Sequence, residues 1–255
     1  MIQLDQKIRA DEAFVLCGLC PSREQAKRLI MAAQAFAKLP GAKEAQLVQK
    51  PGQLLPAGSE LSLKESERFV SRGAYKLLTA LEAFQLDVQN LVALDAGAST
   101  GGFTDCLLQH GAARVYAVDV GNGQLDVRLR GDERVVCLEG VNLRHAPESL
   151  IPEPVDLLVA DVSFISLTLI LPPCLKFMKK EAQVVVLVKP QFELGPQAVK
   201  GGVVREEALQ LQAVDKIVTF ARQELSLELV GVVPAKIKGP KGNQEYLAYF
   251  KTVEA

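Results

Sequence analysis

From Leu91 to the C-terminus, short apolar runs alternate with amphipathic stretches of helical period. This alternation is the mark of βα units feeding a largely parallel sheet. Strands are predicted near 91–95, 114–119, 134–138, 155–160, 183–188, 227–233 and 244–250, with helices between them. The last two runs are joined by Pro234-Ala-Lys-Ile-Lys-Gly-Pro-Lys-Gly, too short for a crossover helix, so they should form an antiparallel hairpin at the sheet edge. The expected fold is a doubly wound, Rossmann-like α/β domain: a mostly parallel seven-stranded sheet with an antiparallel edge. Upstream, Ala74 to Phe84 has the stripe of a helix packed on this domain.

The first 60 or so residues differ in character. Two short helical patterns are followed by Pro40-Gly41, a Pro51-Gly52 turn and the alternating run Leu61-Ser-Leu63. Ser22 is placed to cap the second helix; Ala26, Leu29, Ile30 and Ala33 form its inward stripe, while Arg23, Lys27 and Lys38 stay in water. Such a basic face is either a grip for phosphates or an ordinary solvated surface. The charged stretch Lys64-Glu-Ser-Glu-Arg68 has the composition of a linker, which sets the expected division at 1–62, a linker over 63–72, and 73–255.

Composition narrows the classes. With 255 residues, 49% of them hydrophobic, the chain can bury a large core, and no apolar run reaches the ~18 residues of a membrane span. Five cysteines without disulfide-like spacing fit a reducing compartment, so a cytoplasmic protein is expected. Cys17-Gly-Leu-Cys20 is half of a zinc knuckle without a second half, and no metal is expected. A net charge of −1 gives no global pull on nucleic acid, so any such partner must be met by local patches.

The chemistry concentrates where strands end. The run Leu91-Val-Ala-Leu-Asp95-Ala-Gly97-Ala-Ser99-Thr-Gly101-Gly102-Phe103 passes from an apolar strand through a small-residue turn into a helix. One unit later, Val115-Tyr-Ala-Val118 ends in Asp119, placed to accept hydrogen bonds from both hydroxyls of a ribose. A dinucleotide fingerprint would need glycine where Ser99 stands, and a carboxylate at the strand end suits a ligand with an ammonium group better than a pyrophosphate. S-adenosylmethionine fits both features. Two further apolar runs end in charge, at Asp161 and at Lys189-Pro190. Burial at a strand tip disfavours a charged ammonium, and a neighbouring cation such as Lys76 adds to this, which suits Lys189 to act as a general base. Asp161 would orient it, and Glu245, projecting from the last strand, would complete the set; an ordinary ion pair capping the sheet is the alternative. Base-amine methylation would favour an Asn/Asp-Pro-Pro-aromatic turn where Asp161-Val-Ser-Phe164 stands, and Cys174 reads as core rather than as a nucleophile on a pyrimidine carbon. The set suits removal of a proton from a weakly acidic hydroxyl as it attacks a methyl sulfonium in line, and a ribose 2′-hydroxyl fits that description.

Five ordered motifs carry a resemblance: Ser71-Arg-Gly-Ala-Tyr-Lys76, Asp95 to Asp105, Asp161-Val-Ser-Phe-Ile-Ser166, Lys189-Pro-Gln-Phe192 and Gly239-Pro-Lys-Gly-Asn-Gln-Glu245. Together they resemble the TlyA family of ribosomal-RNA 2′-O-methyltransferases, related to the FtsJ group and often called hemolysins. The resemblance implies a catalytic tetrad of Lys76, Asp161, Lys189 and Glu245. It also implies an S-adenosylmethionine site at Asp95, Gly97, Ser99, Gly101, Phe103, Thr104 and Asp119, with Asn142 near the adenine. The substrate it implies is ribosomal RNA or a ribosomal subunit, with cytidine as the nucleotide. Pro21-Ser22-Arg23-Glu-Gln-Ala-Lys27-Arg28-Leu-Ile is similar to the second helix of the small RNA-binding domain of ribosomal protein S-four, although Ala33 to Gly41 departs from that domain's strand pattern. RNA contacts are expected from Arg23, Lys27, Arg28, Arg72 and the hairpin lysines Lys236, Lys238 and Lys241. The loop from Phe192 to Val203 is either a lid over the sulfonium site or a plain connection. Two other classes compete: a ribosome-assembly factor without chemistry, and a membrane-active cytolysin.

Overall fold

The computed structural model describes residues 4–64 and 68–252 and divides the chain into two compact units, 1–67 and 68–255. The middle of the expected linker, residues 65–67, lies outside the described residues. The linker is also shorter than expected. Phe69 is buried in the core of the larger unit, and the Val70 amide donates to Asp105 at 2.7 Å, so residues 68–72 belong with that unit.

The small unit runs β1 (Ile8–Arg9), α1 (Ala10–Leu16), α2 (Arg23–Met31), β2 (Ala35–Lys38), β3 (Gln46–Leu47), β4 (Leu54–Leu55) and β5 (Glu60–Leu63). β1 pairs with β4, and β3, β2 and β5 form a three-stranded antiparallel sheet. Ser22 caps α2 by accepting from the Gln25 amide at 3.3 Å. Ala26 and Ile30 are buried and Leu29 partly so, but Ala33 is not part of the inward stripe. The helix has ended by then, and Ala33 sits exposed at φ 55°, a left-handed turn that lets β2 begin two residues later. Asp11 is wholly buried, yet Arg9 and Arg23 each reach it at 3.0 Å, and these hydrogen bonds hold its carboxyl down at about 2.

The larger unit runs α3 (Ala74–Phe84), β6 (Val92–Ala96), α4 (Gly102–Gln109), β7 (Arg114–Asp119), α5 (Val127–Arg130), β8 (Val135–Glu139), β9 (Val155–Ala160), α6 (Leu167–Leu175), β10 (Met178–Val188), α7 (Pro190–Glu193), α8 (Glu207–Glu224), β11 (Leu227–Pro234) and β12 (Tyr246–Thr252). Its sheet has the order β11-β12-β10-β9-β6-β7-β8, parallel except for β12, which runs antiparallel to both neighbours. The sheet therefore reverses direction of growth beside β6, and the crevice at such a switch point is where open α/β sheets bind ligands. Between β8 and β9 the connection is two 3₁₀ turns rather than a helix. β10 starts five residues earlier than expected: the charged run Lys179-Lys180-Glu181 hides it from a hydropathy pattern, and an irregularity in its pairing with β9 accommodates it. The core lies on both faces of the sheet, with Leu94, Leu158 and Val186 toward one side and Leu157, Val159 and Val185 toward the other. Cys174 is wholly buried in the first of these, its thiol pushed up to about 12 by burial, as befits a core residue.

Candidate active site

Three cavities meet above the carboxyl ends of β6, β7, β9 and β10. The first, of about 510 Å³, is lined by Gly97, Ser99, Asp119, Gln124, Asn142 and the loop after β9. A small one of about 150 Å³ continues from it past Asp95, Gly97, Phe103 and Asp161 to Lys189. The third, of about 460 Å³, holds Lys76, Lys189, Glu245, Phe164, Phe192 and Asn243. Ser163 borders all three, and Lys189 borders the second and third.

The walls of the first two explain the residue choices. Gly97 has φ 83°, and a β-carbon there would stand 3.0 Å from the Asp161 carbonyl and 3.1 Å from Val162, closing the passage between β6 and β9. Asp95 is wholly buried: its Oδ2 accepts from the Thr104 amide at 2.9 Å and hydroxyl at 2.7 Å, while Oδ1 has no partner. Burial, with Asp161 and Asp119 adding repulsion, pushes this carboxyl up to about 7 against the pull of Thr104. Asp119 uses Oδ2 for the Ser99 amide at 2.8 Å and Oδ1 for the Gly121 amide at 2.7 Å. A carboxylate has about four acceptor sites, so each oxygen keeps one for a ribose hydroxyl. Asn142 Oδ1 accepts from the Arg144 amide at 3.1 Å, which leaves the side-chain NH₂ as its donor group at the first cavity. An orphaned buried carboxylate oxygen, a glycine cradle and an unsaturated Asp119 together fit a ligand with an ammonium group and a ribose.

The structure brings Lys76, Asp161, Lys189 and Glu245 together as two ion pairs rather than one chain. Lys189 Nζ lies 2.5 Å from Asp161 and donates to Ser163 Oγ at 2.8 Å; Lys76 Nζ lies 2.6 Å from Glu245. Lys76 is thus compensated by its own carboxylate, which offsets the effect expected of it as a cation neighbouring Lys189. Glu245 precedes β12 by one residue and does not project from it; its carbonyl accepts from the Ala235 amide at 2.9 Å, which closes the hairpin. Both lysines and Glu245 are buried, so each pair stands where water competes little.

Comparison with known proteins now settles the family. Residues 69–252 match the FtsJ-like methyltransferase family. A Mycobacterium tuberculosis protein named 16S/23S rRNA (cytidine-2'-O)-methyltransferase TlyA is 45% identical over 250 residues, 97% of this chain and 91% of the relative. The chain belongs to the TlyA family. Another relative, named Hemolysin A, from Brachyspira hyodysenteriae, is 38% identical over 95% of this chain and 99% of its own. A solved Streptococcus thermophilus structure, also bearing the hemolysin name, is 41% identical, with a TM-score of 0.72 over 98% of this chain and 90% of its own. A Listeria monocytogenes structure described as an S-adenosylmethionine-dependent methyltransferase, 13% identical with a TM-score of 0.53 over 71% of this chain and 99% of its own, shares the fold.

Within this TlyA-family frame, not every expected residue faces a cavity. Gly101, at φ 93°, lines none of them; a β-carbon there would stand 2.2 Å from Leu129 and 2.8 Å from Leu125, so its smallness admits that apolar wall rather than a ligand. Thr104 acts through Asp95. Of the expected RNA contacts, Arg23 is paired with Asp11 and Glu12, and Lys236 lies 2.5 Å from Glu82. Lys27 is half-buried, and Arg28, Arg72 and Lys238 are exposed. Lys241 borders the third cavity and donates to the Gly201 carbonyl at 3.3 Å. The loop after Phe192 lines this third cavity with Val199 and Gly202, rather than covering the first. Asn243, buried, accepts from the Val204 amide at 3.1 Å and donates to the Gly202 carbonyl at 2.9 Å, tying that loop to the hairpin that carries Glu245.

Sequence reasoning missed Ser163, Phe164, Glu193 and Asn243. Phe164 is 91% exposed at φ 64° and lies 5.0 Å from the Phe192 ring. With Phe192 it forms an aromatic edge to the third cavity. Glu193 is buried and accepts from the Leu167 amide at 2.9 Å and Ser166 Oγ at 2.5 Å, clamping the loop after β9 to the turn after β10. The polar residues beside Asp161 and Lys189 in the motifs were the only available signal.

Proposed function

We propose that this chain methylates the 2′-hydroxyl of a cytidine ribose in ribosomal RNA, with S-adenosylmethionine as donor. The supporting observation is the meeting of a ribose-and-ammonium cavity with a second, aromatic-edged cavity at Lys189, Asp161 and Ser163. Asp95, Gly97, Ser99 and Phe103 would hold the amino-acid end of the donor, and Asp119 and Asn142 its nucleoside end. The bound donor supplies a methyl group on a positively charged sulfur.

The remaining work falls to this chain's own side chains. Lys189 in its amine form takes the proton of the ribose hydroxyl on Nζ, and Asp161 stabilises the ammonium that results. Lys76 and Glu245 hold the far wall of the acceptor cavity, where the ammonium lies close to any developing negative charge on the sugar oxygen. Phe164 and Phe192 offer faces on which a base can stack. The names of the relatives direct the reading to cytidine and ribosomal RNA. The small unit serves as the RNA-binding domain over residues 1–62, with Lys27 and Arg28 as its phosphate contacts; Arg23, already paired, contributes less. Arg72, Lys238 and Lys241 grip the backbone near the acceptor cavity, and Lys236 shares its charge with Glu82. The working place is the cytoplasm, where ribosomal RNA is assembled. Among the described residues no helix is long and apolar enough to cross a membrane.

Transfer of labelled methyl groups from S-adenosylmethionine to ribosomal RNA, followed by mapping of the modified ribose, tests this reading with naked RNA and with assembled subunits. Lys189→Met should lower the transfer rate by about 10²–10⁴-fold, the usual worth of a positioned base, in a chain that still folds and unfolds cooperatively, although loss of the Asp161 ion pair lowers its melting temperature. Undiminished transfer by that variant, or binding of RNA without any transfer by the native chain, would sink it.

A further inference from the structure

Lys189 has two close partners of different kinds. Asp161 Oδ1 lies 2.5 Å from Nζ, yet no hydrogen bond of good alignment reaches that oxygen. Its attraction is that of a charge, which falls off with distance and has little preferred direction. Ser163 Oγ, at 2.8 Å, is the aligned acceptor. Phe192 sits beneath, its ring centroid 5.9 Å from Nζ. An amine that is to receive a proton has two N–H bonds and one lone pair on a freely rotating carbon. A directional acceptor for one N–H fixes the rotation about Cε–Nζ and confines the lone pair to the two remaining positions, one of which faces away from the Asp161 charge.

We infer that Ser163 is the positioning residue of the reaction, which aims the Lys189 lone pair at the ribose hydroxyl. The inference rests on the proposed role of Lys189 as base. Three features of this chain make the serine suited to it. Ser163 borders the donor passage and the acceptor cavity alike, so the bond it accepts lies at their junction. Its loop is held at both ends, by the Asp161 amide on the Ala96 carbonyl at 3.1 Å and by Ser166 and Leu167 on Glu193. Phe164, at φ 64°, turns the chain immediately after it. When the sugar O–H bond breaks, its proton forms a third N–H bond with that lone pair, and the electron pair stays on the sugar oxygen. Asp161 then neutralises the ammonium, while Ser163 keeps the acceptor bond it already had. Direction and charge are thus supplied by different residues, and only direction is lost when the hydroxyl is removed.

The test compares Ser163→Ala and Ser163→Thr with the native full-length chain, using S-adenosylmethionine and ribosomal RNA. Ser163→Ala should lower the rate at saturating substrates by about 10- to 100-fold. KM for RNA and the calorimetric affinity for S-adenosylhomocysteine should stay within about twofold. Ser163→Thr, which keeps the hydroxyl, should recover the rate to within about threefold. A Ser163→Ala rate within twofold of native, a loss confined to KM or to donor affinity, or a threonine variant as slow as the alanine one would each overturn the inference. Lys189→Met measured alongside separates the two levels: if it stays active the base assignment itself fails, whereas an inactive Lys189→Met beside a fast Ser163→Ala removes only the serine's role.

Discussion

Asp11 in the small unit and Asp95 in the large one are both fully buried aspartates, and their surroundings treat them in opposite ways. Asp11 receives two arginines and is held at about 2. Asp95 receives a single threonine on one oxygen, keeps the other orphaned, and rises to about 7. A buried charge that its own fold satisfies serves folding; one left half satisfied keeps an acceptor oxygen that a ligand's charge can engage. On the proposed donor site, the contrast distinguishes a structural carboxylate from one offered to a ligand.

The sharpest way to break this contrast is to replace each aspartate by its neutral isostere. Asp95→Asn should weaken S-adenosylhomocysteine binding by roughly 10- to 100-fold, the worth of a charged hydrogen bond of about 1.5–3 kcal/mol, while leaving the melting temperature unchanged or higher. Calorimetry and thermal unfolding of the same sample check both halves; unchanged affinity would remove Asp95 from the donor site. Asp11→Asn should do the reverse, with donor affinity untouched and the small unit destabilised by about 1–3 kcal/mol in urea titration. The cost stays moderate because Arg9 and Arg23 are half exposed and regain water when the carboxylate goes.

A more gradual effect separates the two by pH, at most about 1.4 kcal/mol per pH unit for each group. Asp11 is depressed, so its contribution is complete above the unfolded value of about 3.9 and is lost as pH falls toward about 2. Asp95 is raised by burial and by Asp161 and Asp119, so the folded large unit binds a proton that the unfolded chain does not between about 4 and 7. Lowering pH from 7 to 4.5 should therefore stabilise the large unit and leave the small one flat. Amide exchange at Thr104 and at Ala26, corrected for intrinsic rates, reads the two units separately; parallel behaviour would contradict the contrast.

Much of this architecture was legible in the chain because buried parallel strands must be nearly continuous in apolar residues. Leu91 to Asp95 and Val155 to Asp161 announced both the strands and the charged tips that form the site. The hairpin followed from a connection too short to cross over. Illegible were features set by contacts distant in sequence. The charged start of β10 resembles a loop until β9 is seen beside it. Nothing local shows that Arg23 is spent on Asp11, or that Gly101 answers to Leu125 and Leu129. Ser163 escaped because a serine beside a recognised aspartate carries no weight until the lysine from the next strand is found against it.

The bonds of Asn243 to Gly202 and Val204 have a mechanical outcome. Because one amide side chain fastens two loops, losing Asn243 would unmoor the rim of the acceptor cavity on both sides at once. The same residue stands two positions ahead of Glu245, whose carboxylate faces Lys76.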